Sequence, residues 1–132
     1  MTSTKYAVVF EDFTKRHYIK TFAKKYKRAW EVTLQAITEE FERIDVLALK
    51  SIAEPITDSQ ADIVIFKTEF KISGTQESRH GSGNRCIIAV HESTAAVHVL
   101  LVYSKGDVHG SNETAWWRGV VKDNHPAYTG VL

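Results

Sequence analysis

The chain predicts an α+β domain, a small antiparallel β-sheet with an N-terminal helical hairpin on one face and a C-terminal helix, in the order β-α-α-β-β-β-α. Two observations predict it. Between Ile63 and Lys105, three apolar, β-branched runs follow one another with short connections, which favours antiparallel pairing. Before them, aromatic and aliphatic residues recur at three- and four-residue spacing, the period of a helix. With 132 residues, 43% of them hydrophobic and 25% charged, residues 1–132 suit one domain that buries its own core.

Tyr6–Phe10 (YAVVF) is short, apolar and β-branched, hence a first strand. Thr14 can cap a helix carrying Tyr18, Phe22 and Tyr26, with Ile19 and Ala23 alongside. Trp30, Leu34, Ile37, Phe41 and Ile44 continue the rhythm without an intervening glycine or proline. A single helix of that length is unusual in so small a domain, so a turn near Lys25–Ala29 is expected. Asp45 to Asp62 reads as a loop broken by Pro55, with a short helical turn around Leu47–Ala53.

Strands are expected at Ile63–Ile72, Arg85–Glu92 and Ala95–Ser104, the last two joined at Ser93–Thr94. A two-residue turn there places Arg85, Ile87, Ala89 and His91 on one face with Val102, Leu100, His98 and Ala96. Cys86, Ile88, Val90, Val97, Val99 and Leu101 form the other, nearly all apolar, face. The apolar face should meet the helices and the mixed face should be partly open. Ser111 is the expected cap of a last helix, with Glu113 in its first turn and Trp116, Trp117, Val120 and Val121 as its apolar stripe.

Formal net charge is +1, but its distribution is uneven. Lys15, Arg16, Lys20, Lys24, Lys25, Lys27 and Arg28 lie between Phe13 and Trp30 with no acid among them, while Glu39, Glu40, Glu42 and Asp45 gather later. This is either a solvated helix face or a surface for polyanions. Lone Cys86 excludes an internal disulfide and reads as a buried, inert thiol. No apolar run approaches the roughly 18 residues of a membrane span, and the N-terminus lacks signal-peptide features, so a cytoplasmic location is expected.

The cations of the strand region suggest phosphate chemistry. Lys67 and Lys71 share a parity in the first of the three strands, with Val64, Phe66, Phe70 and Ile72 opposite them. The segment SRHGSGN loads Arg79 and His80 onto a flexible connection and ends at Arg85. No zinc-ligand spacing, no GxxxxGK[ST] loop and no strand-linked GxGxxG is present, so neither a metal nor a cofactor is expected.

The order of elements, FKISGTQESRHGSGNR, the meander ending in YSK, and NETAWWRGVVKDN together resemble the RelE/ParE toxin superfamily over roughly Tyr6 to His125, most closely its RelE/HigB-like branch. The resemblance implies the toxin of a type II toxin–antitoxin system. Such a toxin is an endoribonuclease (mRNA interferase) that cuts mRNA on the ribosome without metal and is silenced by a cognate antitoxin. A ribose 2′-hydroxyl attacks the scissile phosphate, giving a cyclic phosphate and a free 5′-hydroxyl.

By that likeness Arg85 contacts the scissile phosphate, the alternative being an ion pair with a carboxylate such as Glu69. Lys71 and Lys105 are catalytic, and Lys67 is a weaker match that contacts RNA beside Arg79. The helical Lys20, Lys24 and Lys27 are expected to contact ribosomal RNA. Gly106 stands where the family carries an arginine, and no tyrosine follows, so the general acid falls to a histidine, with His80 and His109 best placed. His91 and His98 sit mid-sheet, where a structural role is commoner. Trp116, Trp117, Val120 and Val121 are expected to pack on the sheet and to offer part of their stripe to the antitoxin. Two other readings share the sequence: a ParE-like gyrase inhibitor of the same fold, and a catalytically silent protein-interaction module.

Overall fold

The computed structural model describes residues 5–45, 53–58 and 60–132. Strands run at Ala7–Phe10 (β1), Ala53–Pro55 (β2), Ile63–Phe70 (β3), Asn84–His91 (β4) and Ala96–Ser104 (β5). Helices run at Asp12–Thr14 (α1), Lys20–Tyr26 (α2), Arg28–Glu42 (α3) and Glu113–Asn124 (α4), with a π-helical turn at Lys15–Ile19 joining α1 to α2. Short 3-10 turns follow β5 at Lys105–Asp107 and α4 at Pro126–Tyr128. The helical turn expected around Leu47–Ala53 lies outside the described residues, except that Ala53 opens β2.

The sheet order is β1-β5-β4-β3-β2. β3 to β5 pair antiparallel, as expected; Ala53–Pro55, in the segment read as a loop, instead adds an antiparallel edge strand beside β3, and β1 lies parallel to β5, with Ala7 opposite Ala96 and Phe10 opposite Val99. The sheet is therefore mixed rather than wholly antiparallel. Parallel neighbours need a long crossover, and the helices and strands between β1 and β5 supply it. At the opposite edge, Pro55 in β2 pairs only with β3 and lacks the N–H that would template a further strand.

The long helical pattern breaks at Lys27, inside the expected Lys25–Ala29 window. Lys27 has φ 52° and ψ −120°, a backbone state that costs a lysine about 1–3 kcal/mol. Aromatic packing offsets it: Phe22 of α2 stacks on Trp30 of α3 with centroids 4.7 Å apart, and both rings meet Phe70 of β3.

Between β4 and β5 the register follows the sequence expectation from His91–Ala96 to Ile88–Val99, then slips. Leu100 is an extra residue, so Ile87 faces Leu101, Cys86 faces Val102 and Arg85 faces Tyr103. The expected partners Leu100 for Ile87 and Val102 for Arg85 are corrected accordingly. A bulged carbonyl leaves the ladder and needs other donors. The Leu100 carbonyl accepts from the buried Thr14 hydroxyl at 2.6 Å and from His125 Nε2 at 2.7 Å. One donor comes from the N-terminal helix and one from just after α4, so the bulge ties both ends of the chain to the sheet.

Both sheet faces are covered. Val64, Phe66, Phe70, Ile72, Cys86, Ile88, Val90, Val97, Val99 and Val102 pack under α2 and α3. Ile65, Ile87, Ala89, Leu100, Leu101 and Tyr103 pack under Trp117 and Val121 of α4 and under Tyr128. The face expected to be partly open is thus core at Ile87, Ala89 and Leu100, each 0% exposed, because α4 and the tail lie across it. The α4 cap sits one residue beyond the expected Ser111: the Asn112 side chain accepts from Ala115 N at 3.0 Å.

Thr14→Val keeps the shape and removes one donor from a buried carbonyl. It should cost about 1–2 kcal/mol in chemical denaturation. Combined with His125→Phe the loss should exceed the sum of the singles, since only then is Leu100 O left with neither side-chain donor; strict additivity would argue against the brace.

Candidate functional site

The chemistry-bearing side chains collect where β3 and β4 meet the loop that joins them. Glu69 of β3 lies directly opposite Arg85 of β4. Arg85 is 2% exposed. Its Nη1 donates to Asn84 O at 3.1 Å and its Nη2 to His80 O at 3.3 Å, while Nη1 stands 3.8 Å from Glu69 Oε2. Nε has no hydrogen-bond partner among the described residues. A guanidinium so placed is a clamp: it gathers a carboxylate and two backbone carbonyls around one buried charge.

His80 lies above the clamp, largely in solvent. Its Nδ1 is 2.9 and 3.0 Å from the two Glu69 oxygens. An ionised carboxylate only accepts, so Nδ1 carries the proton and Nε2 is left as the free ring nitrogen. The loop bearing His80 is braced rather than flexible. Arg79 grips Glu40 of α3 with bonds of 2.7 and 3.0 Å, and Ser82 Oγ accepts from Asn84 N at 3.1 Å. Gly83, at φ 77°, turns the chain into β4, and its carbonyl accepts from Lys105 N at 2.9 Å. A Cβ built on Gly83 would meet the Lys105 stem at 3.4 Å, so that lysine lies along the same rim. His109 is exposed on the loop that follows.

A second group adjoins the first on the α4 side. Tyr103, fully buried opposite Arg85, donates to Glu113 Oε2 at 2.7 Å, and Lys67 Nζ lies 3.2 Å from the same oxygen. Burial raises the Glu113 carboxyl, but the hydrogen bonds from Tyr103 and Lys67 and the charges of Lys67 and Arg85 outweigh it and hold it below its ordinary value. Burial, then the bond to Glu113, pushes the Tyr103 hydroxyl well above the phenol range, so Tyr103 stays a neutral donor.

Lys71 does not join Lys67. β3 ends at Phe70, and Lys71 lines a groove of about 260 Å³ with Val32, Thr33 and Ala36 of α3, across the sheet from Lys67. The shared parity holds only while the strand lasts. Lys20, Lys24 and Lys27 are exposed and have no carboxylate within 4.0 Å among the described residues. Trp117 and Val121 are buried in the chain alone, and Trp116 and Val120 are half-buried, Trp116 lying edge-on to Tyr103 at 5.1 Å. Cys86 is buried and its thiol is pushed up to about 12, which leaves it inert.

Tyr103 and Glu113 are the site residues that the pattern of cations does not reveal, whereas Glu69 faces Arg85 at 3.8 Å, as the ion-pair alternative for Arg85 had it. Glu69 was visible as the odd-numbered neighbour of Lys67. Tyr103 was hidden by the bulge, which brings it opposite Arg85 in place of Val102. Among the described residues no cluster of three or more His, Cys, Asp or Glu could hold a metal ion, and no helix is long and apolar enough to cross a membrane. No family model and no curated protein matches the chain.

At the far end of the sheet the His91 and His98 rings lie tilted at 55° to each other with centroids 4.6 Å apart. His91 Nε2 bonds Tyr128 Oη at 2.7 Å, and His98 Nδ1 bonds Glu11 at 2.7 Å. Burial first, then the His98 charge, lowers His91 below its ordinary 6.5, against the weaker pull of Asp62 and Glu11. The folded chain therefore binds the proton less readily than the unfolded one, and stability falls as pH drops through about 6.5 until the folded value is passed. His91→Phe should flatten the pH dependence of Tm between 7.5 and 5.5; an unchanged slope would remove His91 as its source.

Proposed function

We propose that the chain is a metal-independent endoribonuclease, acting as the toxin of a toxin–antitoxin pair. The observation that carries this reading is His80, held by Glu69 through Nδ1 and exposed at Nε2, on a loop fixed from beneath by Arg85. Cleavage by internal attack needs a base for the 2′-hydroxyl, positive charge for the phosphorane-like transition state and a proton for the leaving 5′-oxygen. Nε2 of His80 takes the hydroxyl proton, and Glu69 stabilises the imidazolium that forms. The 2′-oxygen bonds to phosphorus as the bond to the 5′-oxygen breaks. Lys105 supplies charge at the rim and the proton for the leaving oxygen. Arg85 acts through the loop, as a positioning residue.

The order of elements and the residues shared with RelE/HigB-like toxins support the wider reading: mRNA as substrate, probed on the ribosome, in the cytoplasm, with an antitoxin as partner. The exposed lysines of α2, without carboxylate partners among the described residues, suit docking on ribosomal RNA.

One observation favours the silent interaction module instead. Lys67, Arg79 and the His80–Arg85 pair each face a carboxylate, namely Glu113, Glu40 and Glu69. Such pairing neutralises charge that a phosphate would otherwise meet.

Primer extension on mRNA after brief expression separates the readings. The parent should give discrete cuts. His80→Gln should lose them by roughly 100-fold or more while keeping the parental Tm, since the ring is 82% exposed. Gyrase-linked DNA damage without cuts would support the ParE-like reading, and neither effect would leave the interaction module. A His80→Gln protein that cuts at the parental rate would overturn the assignment of the base.

A further inference from the structure

We propose that a recess between α2 and the Lys105–Asp107 turn is a subsite for one nucleobase of single-stranded RNA, with guanine favoured. The proposal rests on the RNA-cleaving reading for its biological sense, though not for its test. The recess measures about 130 Å³ and is lined by His17, Tyr18, Thr21, Lys25, Tyr26 and Asp107. That is small beside the roughly 300–1,000 Å³ of sites that enclose a whole drug-sized ligand, so it admits one ring system with its sugar and phosphate outside.

The local backbone is built for the purpose. The π-helical turn Lys15–Ile19 carries His17 and Tyr18, and such turns are rare and concentrate at functional sites. Phe13 packs behind both rings, with centroids 4.9 Å from His17 and 5.8 Å from Tyr18. Lys25 Nζ sits 5.2 Å from the Tyr26 centroid. Aromatic walls with interleaved cations are how single-stranded nucleic acid is held, base against ring and phosphate against lysine. Lys15, Lys20, Lys24 and Lys25 are exposed along this stretch and lie within 4.0 Å of no carboxylate among the described residues.

Asp107 provides the selection. Its Oδ2 accepts from Ser104 N at 2.9 Å and Ser104 Oγ at 3.3 Å, which fixes the carboxylate, while Oδ1 has no hydrogen bond within the described chain. The Tyr18 hydroxyl is raised by burial and then by the Asp107 charge, as expected for neighbours across one recess. An anionic acceptor prefers a base edge with adjacent donors. Guanine presents N1–H and the N2 amino group side by side, whereas uracil presents a single N3–H flanked by carbonyls that a carboxylate repels.

The subsite is tested by NMR titration of the full chain with the 5′-monophosphates of guanosine, adenosine and uridine, and with inorganic phosphate. GMP should shift the His17, Tyr18 and Tyr26 resonances and bind roughly tenfold or more tighter than UMP. Asp107→Asn, which still caps the turn, should erase that preference. Thr21→Trp, at the exposed rim, should block binding. No shift with any nucleotide, the same shifts with inorganic phosphate, or undiminished GMP binding in Thr21→Trp would overturn the proposal. Binding of a mononucleotide requires no cleavage. A parent that binds GMP but cuts no RNA therefore sinks the nuclease reading alone, and one that cuts RNA without these shifts sinks the subsite alone.

Discussion

The buried charge of Arg85 organises the end of the sheet. A guanidinium at 2% exposure is costly unless its donors are used, and a single carboxylate 3.8 Å away is not sufficient compensation. The chain answers by bending the β3–β4 loop back so that the carbonyls of His80 and Asn84 complete the shell. The position of His80, its contact with Glu69 and the path of the chain into Gly83 all follow from that requirement. Lys105 is drawn in by the same turn, through Gly83 O.

Covering both faces of the sheet has a second effect. With α2 and α3 on one side and α4 with the tail on the other, no broad basic sheet surface remains. Among the described residues, Lys67, Arg79, His80 and Arg85 at the sheet end each face a carboxylate, whereas the lysines of the helix edge at Lys15–Arg28 do not. A formal net charge of +1 therefore hides a molecule with a balanced centre and one polyanion-attracting flank. That division suits a protein whose docking surface and reacting groups are separate.

Much of this was legible in the residues. The alternation in IVIFKTEF placed Val64, Phe66 and Phe70 in the core, and the Ser93–Thr94 turn set the β4–β5 register correctly as far as Ile88–Val99. The break at Lys27 fell where helix length required it, although no glycine marks it. Other features were not legible. The Leu100 bulge depends on donors from Thr14 and His125, which are distant in sequence, so no local pattern announces it. The parallel pairing of β1 depends on the crossover as a whole. The burial of Arg85 depends on the β3–β4 loop bending back over it, on a face whose charged and histidine residues read as solvent-facing. The separation of Lys71 from Lys67 has a simpler cause: parity ends with the strand.

The central claim is that Arg85 holds His80 against Glu69 and so fixes the imidazole with its proton on Nδ1. Nitrogen-15 NMR of the histidine rings measures this directly, in the parent and in Arg85→Met, above the pH at which the rings are charged. The account predicts an Nδ1–H ring for His80 in the parent and a shift toward the Nε2–H form preferred by free imidazole in the variant, with the His98 and His125 rings unchanged. A His80 ring that is Nε2–H in the parent, or identical in the two proteins, would contradict it.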